Sequence, residues 1–281
     1  MNSIKYWLYE LLGITKKPNP IRSNSTQFWY GRVNSWACGK RSVLRKDLDL
    51  CAKNGLSGYA IELVGWTDPP NTYRTQYYYE TVEDAYKYLV KACRARGLWL
   101  FVSVVNDNAG KSGKNPNNPT LDKQQDNVNF AFDLVEKCGS RNVIVQTVAE
   151  THNAFADGLD KKWIPRFKAK GFQTVYNGAF GSPSGTKYGA NFYAVHPSSD
   201  RREEPKAAFI VSDHSLLLRQ LCKNGNINGP GDPAKIKAWA KHYQGKGNPV
   251  VCFYHYNYTG SSGSDKKSIE ALGLGLGHPR L

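Results

Sequence analysis

The chain has 281 residues, 40% of them hydrophobic, which is enough for one large domain or two small ones with a substantial core. Its formal net charge of +15 is compatible with an acidic binding partner. It is also compatible with a soluble protein whose surface is simply basic. The basic residues are spread along the chain without a Lys/Arg run, so no specific nucleic-acid partner is expected. No apolar run is long enough for a transmembrane segment, and the N-terminal stretch, which contains Lys5 and Glu10, is a poor signal peptide.

The cysteine pattern excludes one common kind of site. None of the six cysteines belongs to a C-x-x-C pair, so a structural zinc site is not expected, and no cofactor is predicted. Three cysteines fall near the ends of predicted helices on the apolar face, where free thiols act as small hydrophobic side chains. Free thiols indicate synthesis in a reducing cytoplasm, from which the protein could still enter a particle or a surface assembly.

Residues 1–25 are predicted to hold a short amphipathic helix and a linker, separate from a barrel domain over residues 26–281. In the helix, over residues 3–13, apolar side chains share one face at helical spacing: Ile4, Trp7, Leu8, Leu11 and Leu12. Two interpretations stay open. The helix packs over the bottom of the main domain, or it anchors the chain to a protein partner, a particle or a membrane surface.

An alternation of strands and helices begins at Phe28. The first three helices of this alternation each end at a glycine, and Gly55, Gly97 and Gly139 recur every 42 residues. The strand that follows Gly139 is apolar along its length, as strands covered on both faces are. The unit recurs less regularly in the second half and brings the total to eight predicted strands.

Eight parallel strands with crossover helices predict an α/β fold, a (β/α)8 TIM barrel with a short N-terminal helical extension. The alternative is an open doubly wound sheet. Such a sheet usually carries a Gly-rich phosphate-binding turn after its first strand, and this sequence has none there.

In a barrel of this kind the carboxyl ends of all strands open into one site. The predicted strand ends carry many acids, histidines, amides and aromatic residues, more than a purely structural role requires. Two carboxylates are the catalytic candidates, Glu150 and Asp213. The candidates for substrate binding are Trp36, Glu62, Trp66, Asn106, Asp107, His152, Tyr176, Asn177, His196, His214, Tyr254 and His255.

Paired carboxylates with aromatic neighbours suit the hydrolysis of glycosidic bonds. One acid protonates the leaving oxygen while the other attacks or stabilises an oxocarbenium-like carbon. Aromatic faces stack on sugar rings, and amides and histidines bind hydroxyl groups.

Three short motifs resemble the TIM-barrel glycoside hydrolases of the cellulase-like clan. QTVAE places Glu150 at the end of strand four, FIVSDH places Asp213 at the end of strand seven, and YAVHP places His196 at the end of strand six. The resemblance implies that Glu150 is the acid/base, that Asp213 stands where the nucleophile lies, and that His196 lies beside it. It also implies that the partner is a carbohydrate, a polysaccharide or cell-wall glycan.

Two positions depart from the clan's pattern. The clan usually has Asn immediately before the acid/base, where this chain has Ala149, so the usual partner of the sugar 2-hydroxyl is missing. The nucleophile would be Asp213 instead of Glu, shorter by one methylene. A wider gap between the carboxyl groups would favour inversion, since inverting pairs are about 6.5–9.5 Å apart and retaining pairs about 5–5.5 Å.

Two other functions stay open. A barrel that binds glycan without cleaving it, tethered to a virus particle or cell surface, would explain Ala149 and the N-terminal helix. A metal-dependent hydrolase could use His196, Asp213, His214 and His255, but such barrels usually begin with an H-x-H pair on the first strand, and this chain has none.

Overall fold

A computed structural model describes the protein at residues 2–22, 26–32, 41–64, 82–106, 125–149, 151, 154–177, 187–195, 209–212, 221, 231–244, 250–255 and 263–275. Its strands pair in chain order, every pairing is parallel, and the last strand pairs with the first, so the sheet is a closed barrel. The strands are β1 (Gln27–Arg32), β2 (Gly58–Val64), β3 (Trp99–Asn106), β4 (Val143–Ala149), β5 (Gln173–Tyr176), β6 (Phe192–Val195), β7 (Phe209–Ser212) and β8 (Val250–His255).

Helices alternate with these strands. α1 (Asn2–Leu12) precedes the barrel, and the others are α2 (Arg41–Lys53), α3 (Val82–Arg96), α4 (Gln125–Cys138), α5 (Ala154–Ala169), α6 (Pro233–Tyr243) and α7 (Gly263–Gly275). Within the described ranges a helix therefore follows β1 to β4, β7 and β8. This parallel α/β arrangement agrees with the prediction, and none of the described helices is long and apolar enough to span a bilayer.

The glycines that end α2, α3 and α4 explain why the helix boundaries could be predicted. Gly55, Gly97 and Gly139 have φ of +74°, +70° and +80°, a left-handed conformation that costs side-chain-bearing residues energy and glycine almost none. Each glycine thus closes a helix and turns the chain into the next strand. The sequence predicts the next helix around Lys161–Lys170, whereas α5 begins at Ala154, seven residues earlier.

Two apolar layers lie on either side of the strands. Among the described residues, the inner layer contains side chains of six neighbouring strands and none of a helix, so it lies in the barrel interior: Trp29, Ala60, Phe101, Ile144, Val175, Phe192 and Ala194. The outer layer packs strands against helices, with Leu48, Leu89 and Phe132 among its fully buried members. Both layers are excluded from water, which is why these strands are apolar on both faces.

The segment from Ile14 to Arg22 covers the amino-terminal edge of the barrel. The indole of Trp99, the first residue of β3, donates to the Asn19 carbonyl over 2.8 Å, and the Gln27 amide at the start of β1 donates to the Pro20 carbonyl over 2.9 Å. Asn142, just before β4, donates to the Lys16 carbonyl over 3.1 Å. The described part of the predicted linker is therefore packed against the barrel.

Candidate active site

The carboxyl ends of the parallel strands meet at one edge of the barrel, which is where the candidate residues were predicted to lie. Glu62 is on β2 and Asn106 ends β3, while Tyr176 ends β5 and Asn177 follows it. Tyr254 and His255 end β8. The other candidates lie outside the described residues: Trp36, Trp66, Asp107, Glu150, His152, His196, Asp213 and His214.

A layer of polar side chains lies inside the barrel, one step nearer this edge than the apolar interior. Glu62, Ser103 and Gln146 are in register across β2, β3 and β4 and are all buried. Each comes two residues after a member of the interior cluster, so side-chain alternation puts it on the same inner face. The Gln146 amide donates to the Ser103 hydroxyl over 3.1 Å, and we call these three residues the polar layer.

The polar layer offers hydrogen-bonding groups where an apolar core would offer none. Within the described part of the chain, the Gln146 Oε1 atom accepts no hydrogen bond although it is buried. A buried polar atom of this kind normally has a partner, either protein or water. The layer can therefore act as a polar floor beneath a ligand bound at the carboxyl edge.

β5 separates two candidate residues onto opposite faces. Asn177 is fully buried and lies two residues after Val175, a member of the interior cluster, so it belongs to the inner face. Tyr176 instead packs with Ile164 of α5 and with Ala190, on the outer face. This contact explains the burial of Tyr176 by packing against α5, and a ligand-binding role for the residue stays a prediction.

The end of β4 is fastened to α5 by a buried carboxylate. Asp160 accepts hydrogen bonds from the hydroxyl groups of Thr147 and Thr151, the latter over 2.6 Å. Burial raises the pKa of Asp160 to about 7, while the two threonine hydroxyls oppose the shift by stabilising the carboxylate. The Thr151 amide also donates to the Asn177 carbonyl over 3.0 Å, which joins the chain just beyond β4 to β5.

The sequence contained a signal for several of these residues. Ser103, Gln146 and Thr147 are polar interruptions of otherwise apolar strands, and a polar residue buried in such a strand needs a hydrogen-bond partner. The partner of Thr147 could not be identified in advance, because Asp160 comes thirteen residues later, just before the helix predicted around Lys161–Lys170, and looks like an ordinary surface acid.

No group of three or more histidine, cysteine or acidic side chains that could hold a metal ion occurs among the described residues. Cys51, Cys93 and Cys138 are free thiols; the first two are buried and Cys138 is partly buried. Burial raises the pKa of the Cys93 thiol to about 12, so that this cysteine stays protonated.

The sequence matches no family model and no curated protein. Solved structures with a similar fold include a glycoside hydrolase family 5 protein from Bacteroides vulgatus, 11% identical, with a TM-score of 0.56 over 93% of this chain and 71% of that one. A family 5 lichenase from Caldicellulosiruptor sp. F32 is 10% identical, with a TM-score of 0.51 over 93% of this chain and 98% of its own.

A β-N-acetylhexosaminidase from Bacteroides fragilis is 10% identical, with a TM-score of 0.59 over 90% of this chain and 66% of its own. At such identities the likeness concerns the fold. The chain therefore has the fold of the TIM-barrel glycoside hydrolases, at very low sequence identity.

Proposed function

We propose that this protein hydrolyses glycosidic bonds in a polysaccharide or cell-wall glycan, with Glu150 as proton donor and Asp213 as nucleophile or base. The observation that carries the proposal is the set of hydrogen bonds that holds the end of β4 against α5 and β5. Thr147 and Thr151, three residues before and one residue after Glu150, are both bonded to Asp160, and the Thr151 amide is bonded to β5. A proton donor must be held in a fixed position to protonate one particular oxygen atom. The hydrogen bonds of Thr147 and Thr151 would hold Glu150 in such a position.

Alternation along β4 gives a direction to the proposal. Gln146 is on the inner face and Thr147 hydrogen-bonds outward to α5, so these two neighbours face opposite sides of β4. Counted in steps of two from Gln146, the same alternation predicts that the Glu150 carboxyl group points into the barrel mouth. Glu150 itself lies outside the described part of the chain.

The proposed mechanism divides the work between two acids. Glu150 protonates the oxygen that leaves, and Asp213 either attacks the anomeric carbon or takes a proton from an attacking water. The shorter Asp213 side chain favours a wide gap with room for that water, and therefore inversion of configuration. His196 would lie beside Asp213, and Trp36 and Trp66 would stack on sugar rings.

The complete (β/α)8 pattern, with a helix after every strand, is part of the same proposal. The remaining binding candidates would surround the sugar: Asn106, Asp107, His152, His214, Tyr254 and His255. Glu62 and Asn177 would contribute from the inner face of the barrel, where both are buried.

The test is hydrolysis by wild-type protein and by Glu150→Gln, measured as new reducing ends. Mixed-linkage β-glucan and β-linked N-acetylhexosamine glycans are suitable first substrates, since the neighbours include a lichenase and a β-N-acetylhexosaminidase. We expect Glu150→Gln to lose about 10²–10⁴-fold in rate while folding normally, because the amide cannot give up a proton.

The matched control is Glu270→Gln, the same change on a partly exposed carboxylate of α7 that lies 3.8 Å from Lys266. It should leave turnover unchanged. Equal turnover by wild type and Glu150→Gln on a substrate that the protein cleaves would reject the assignment of the proton donor.

A glycan-binding barrel without hydrolysis is the second candidate. Ala149, which ends β4 and is buried, offers only a methyl group where the clan usually has an amide. Glycan that is retained on the protein but never shortened over a long incubation would favour this function.

A further inference from the structure

Helix α1 has its apolar face toward solvent. Six large apolar residues between Ile4 and Ile14 are 40–68% exposed and form what we call the apolar stripe: Ile4, Trp7, Leu8, Leu11, Leu12 and Ile14. Five of them follow the i, i+3, i+4, i+7 spacing of one helix face. A contiguous exposed patch of this kind usually marks a binding surface.

The opposite face of α1 is the one that contacts the barrel. Glu10 is buried there, with its carboxylate 2.6 Å from the Arg96 guanidinium of α3 and 3.6 Å from Arg45 of α2. Tyr6 lies beneath the same arginine, 5.2 Å from ring centroid to guanidinium carbon. Surface helices normally bury their apolar side, so this reversed orientation is held by a polar anchor and presents the apolar stripe outward.

Within the segment from Ile4 to Arg22, every exposed or partly exposed charge is positive. From Ile4 to Arg22 the exposed or partly exposed charged side chains are Lys5, Lys16, Lys17 and Arg22. The one acid of this segment, Glu10, is buried and paired. Lys16 lies 5.2 Å from the centroid of the Tyr9 ring and Lys5 lies 5.8 Å from it, so both ammonium groups flank the helix.

We propose that α1 binds the surface of an anionic lipid membrane, with the apolar stripe in the interface and the flanking lysines on lipid phosphates. Helices that lie in the membrane interface carry leucine and tryptophan on one face and lysines beside that face, and α1 has this composition. A second copy of the chain would bring an equally positive face against this one, whereas anionic lipid supplies the opposite charge.

The anchoring also determines which end of the barrel faces the membrane. Arg96 ends α3 next to the amino-terminal edge, and the chain continues from α1 across that same edge through Lys16 and Asn19. The carboxyl edge with the candidate active site is at the opposite end of the strands. Binding through α1 would thus leave that edge open to a glycan.

Vesicle sedimentation of the full chain tests the proposal, using phosphatidylcholine vesicles with and without phosphatidylglycerol. We expect binding to the anionic vesicles and at least about tenfold weaker binding to the neutral ones. Leu8→Glu/Leu11→Glu should lower anionic binding by about tenfold or more, because charged groups cannot enter the interface. Lys5→Gln/Lys17→Gln should lower it by about fivefold for each lysine.

The matched control is Lys235→Gln/Lys237→Gln, which changes the net charge by the same amount at two exposed positions of α6. It should bind within about threefold of wild type, and circular dichroism should report native helix content for every variant. Three results would overturn the proposal. The first is no binding to anionic vesicles, and the second is an equal loss of vesicle binding in Lys5→Gln/Lys17→Gln and Lys235→Gln/Lys237→Gln. The third is self-association that Leu8→Glu/Leu11→Glu abolishes, without any vesicle binding.

Discussion

A single buried carboxylate, Asp160, joins the end of β4 to α5, and its protonation links stability to pH. Its pKa is raised to about 7 by burial, whereas an unfolded chain would release the proton near pH 4. Between these values the folded protein binds the proton and the unfolded chain does not. The free energy of unfolding therefore falls as pH rises through this window, and levels off above it.

We expect this group to lower the free energy of unfolding by about 2 kcal/mol between about pH 5 and pH 7. Asp160→Asn has no titrating group at this position, so its free energy of unfolding should not show this decrease with pH. Urea unfolding curves recorded at several pH values across the window give the slope of that free energy against pH. Asp133→Asn, at an exposed position of α4, should keep the wild-type slope. The same slope in wild type and Asp160→Asn would contradict the burial effect.

At the scale of single residues, the sequence did not predict which side of a strand a side chain faces. Tyr176 and Asn177 were both expected at the mouth, yet adjacent residues of a strand face opposite sides, and Tyr176 packs on Ile164. Both faces of β5 are buried in this fold, so polarity alone could not tell which face was inner. Ser103 and Gln146 lie within β3 and β4 and not at their ends, so a pattern of residues at strand ends does not include them.

At the scale of elements, β2 can lie against β1 only because Gly58 lacks a side chain. A Cβ atom there would lie 2.6 Å from the Trp29 indole, which is fully buried in the barrel interior. We expect Gly58→Ala to lower the free energy of unfolding by about 1–3 kcal/mol through overpacking. Denaturant unfolding monitored by tryptophan fluorescence measures the loss.

Gly158 provides the comparison, because it is inside α5 and a Cβ atom there would meet nothing within 4 Å. Gly158→Ala should raise the free energy of unfolding by about 0.5–1 kcal/mol, since alanine is the better helix former. A Gly58→Ala protein as stable as wild type would mean that Trp29 is not packed as described.

Two basic residues of α3, Arg96 and Lys87, should differ sharply in how much their ion pairs contribute to stability. Arg96 has a fully buried side chain that pairs with Glu10 of α1 and Asp49 of α2. Arg96→Met leaves both acids without this partner and should cost about 3–5 kcal/mol in the free energy of unfolding. It should also make α1 easier for a protease to cleave.

Lys87 pairs with Glu83 on the exposed side of the same helix. Lys87→Met should unfold at the same denaturant concentration as wild type, within error, because water screens this pair. If the two variants were equally stable, Arg96 would not be the anchor of α1.

Most element boundaries were predictable because their signals are local. A glycine that ends a helix and an apolar run that forms a strand can be read without knowledge of their neighbours, and Gly55, Gly97 and Gly139 are such cases. The orientation of α1 was not predictable, since its apolar stripe is compatible both with burial and with a binding surface, and the deciding contact is with Arg96, 86 residues away. The early start of α5 was hidden by Gly158, a poor helix former within its first turns.

At the scale of the whole molecule, the barrel followed from the repeated strand–helix unit, because parallel strands with crossover helices have few ways to close. The side chains that face each other across the mouth could not be derived in the same way. Their relative positions depend on the shear of the barrel and on loops far apart in the chain, and no local pattern encodes either.

A crystal structure with a bound oligosaccharide, in which the distance between the carboxyl groups of Glu150 and Asp213 is measured, would test the proposed hydrolysis most directly. We expect the two groups to face each other across the carboxyl edge, about 5–9.5 Å apart, with a glycosidic oxygen within hydrogen-bonding distance of Glu150. A structure with either group buried against a neighbouring cation, or with the oligosaccharide bound away from both, would contradict it.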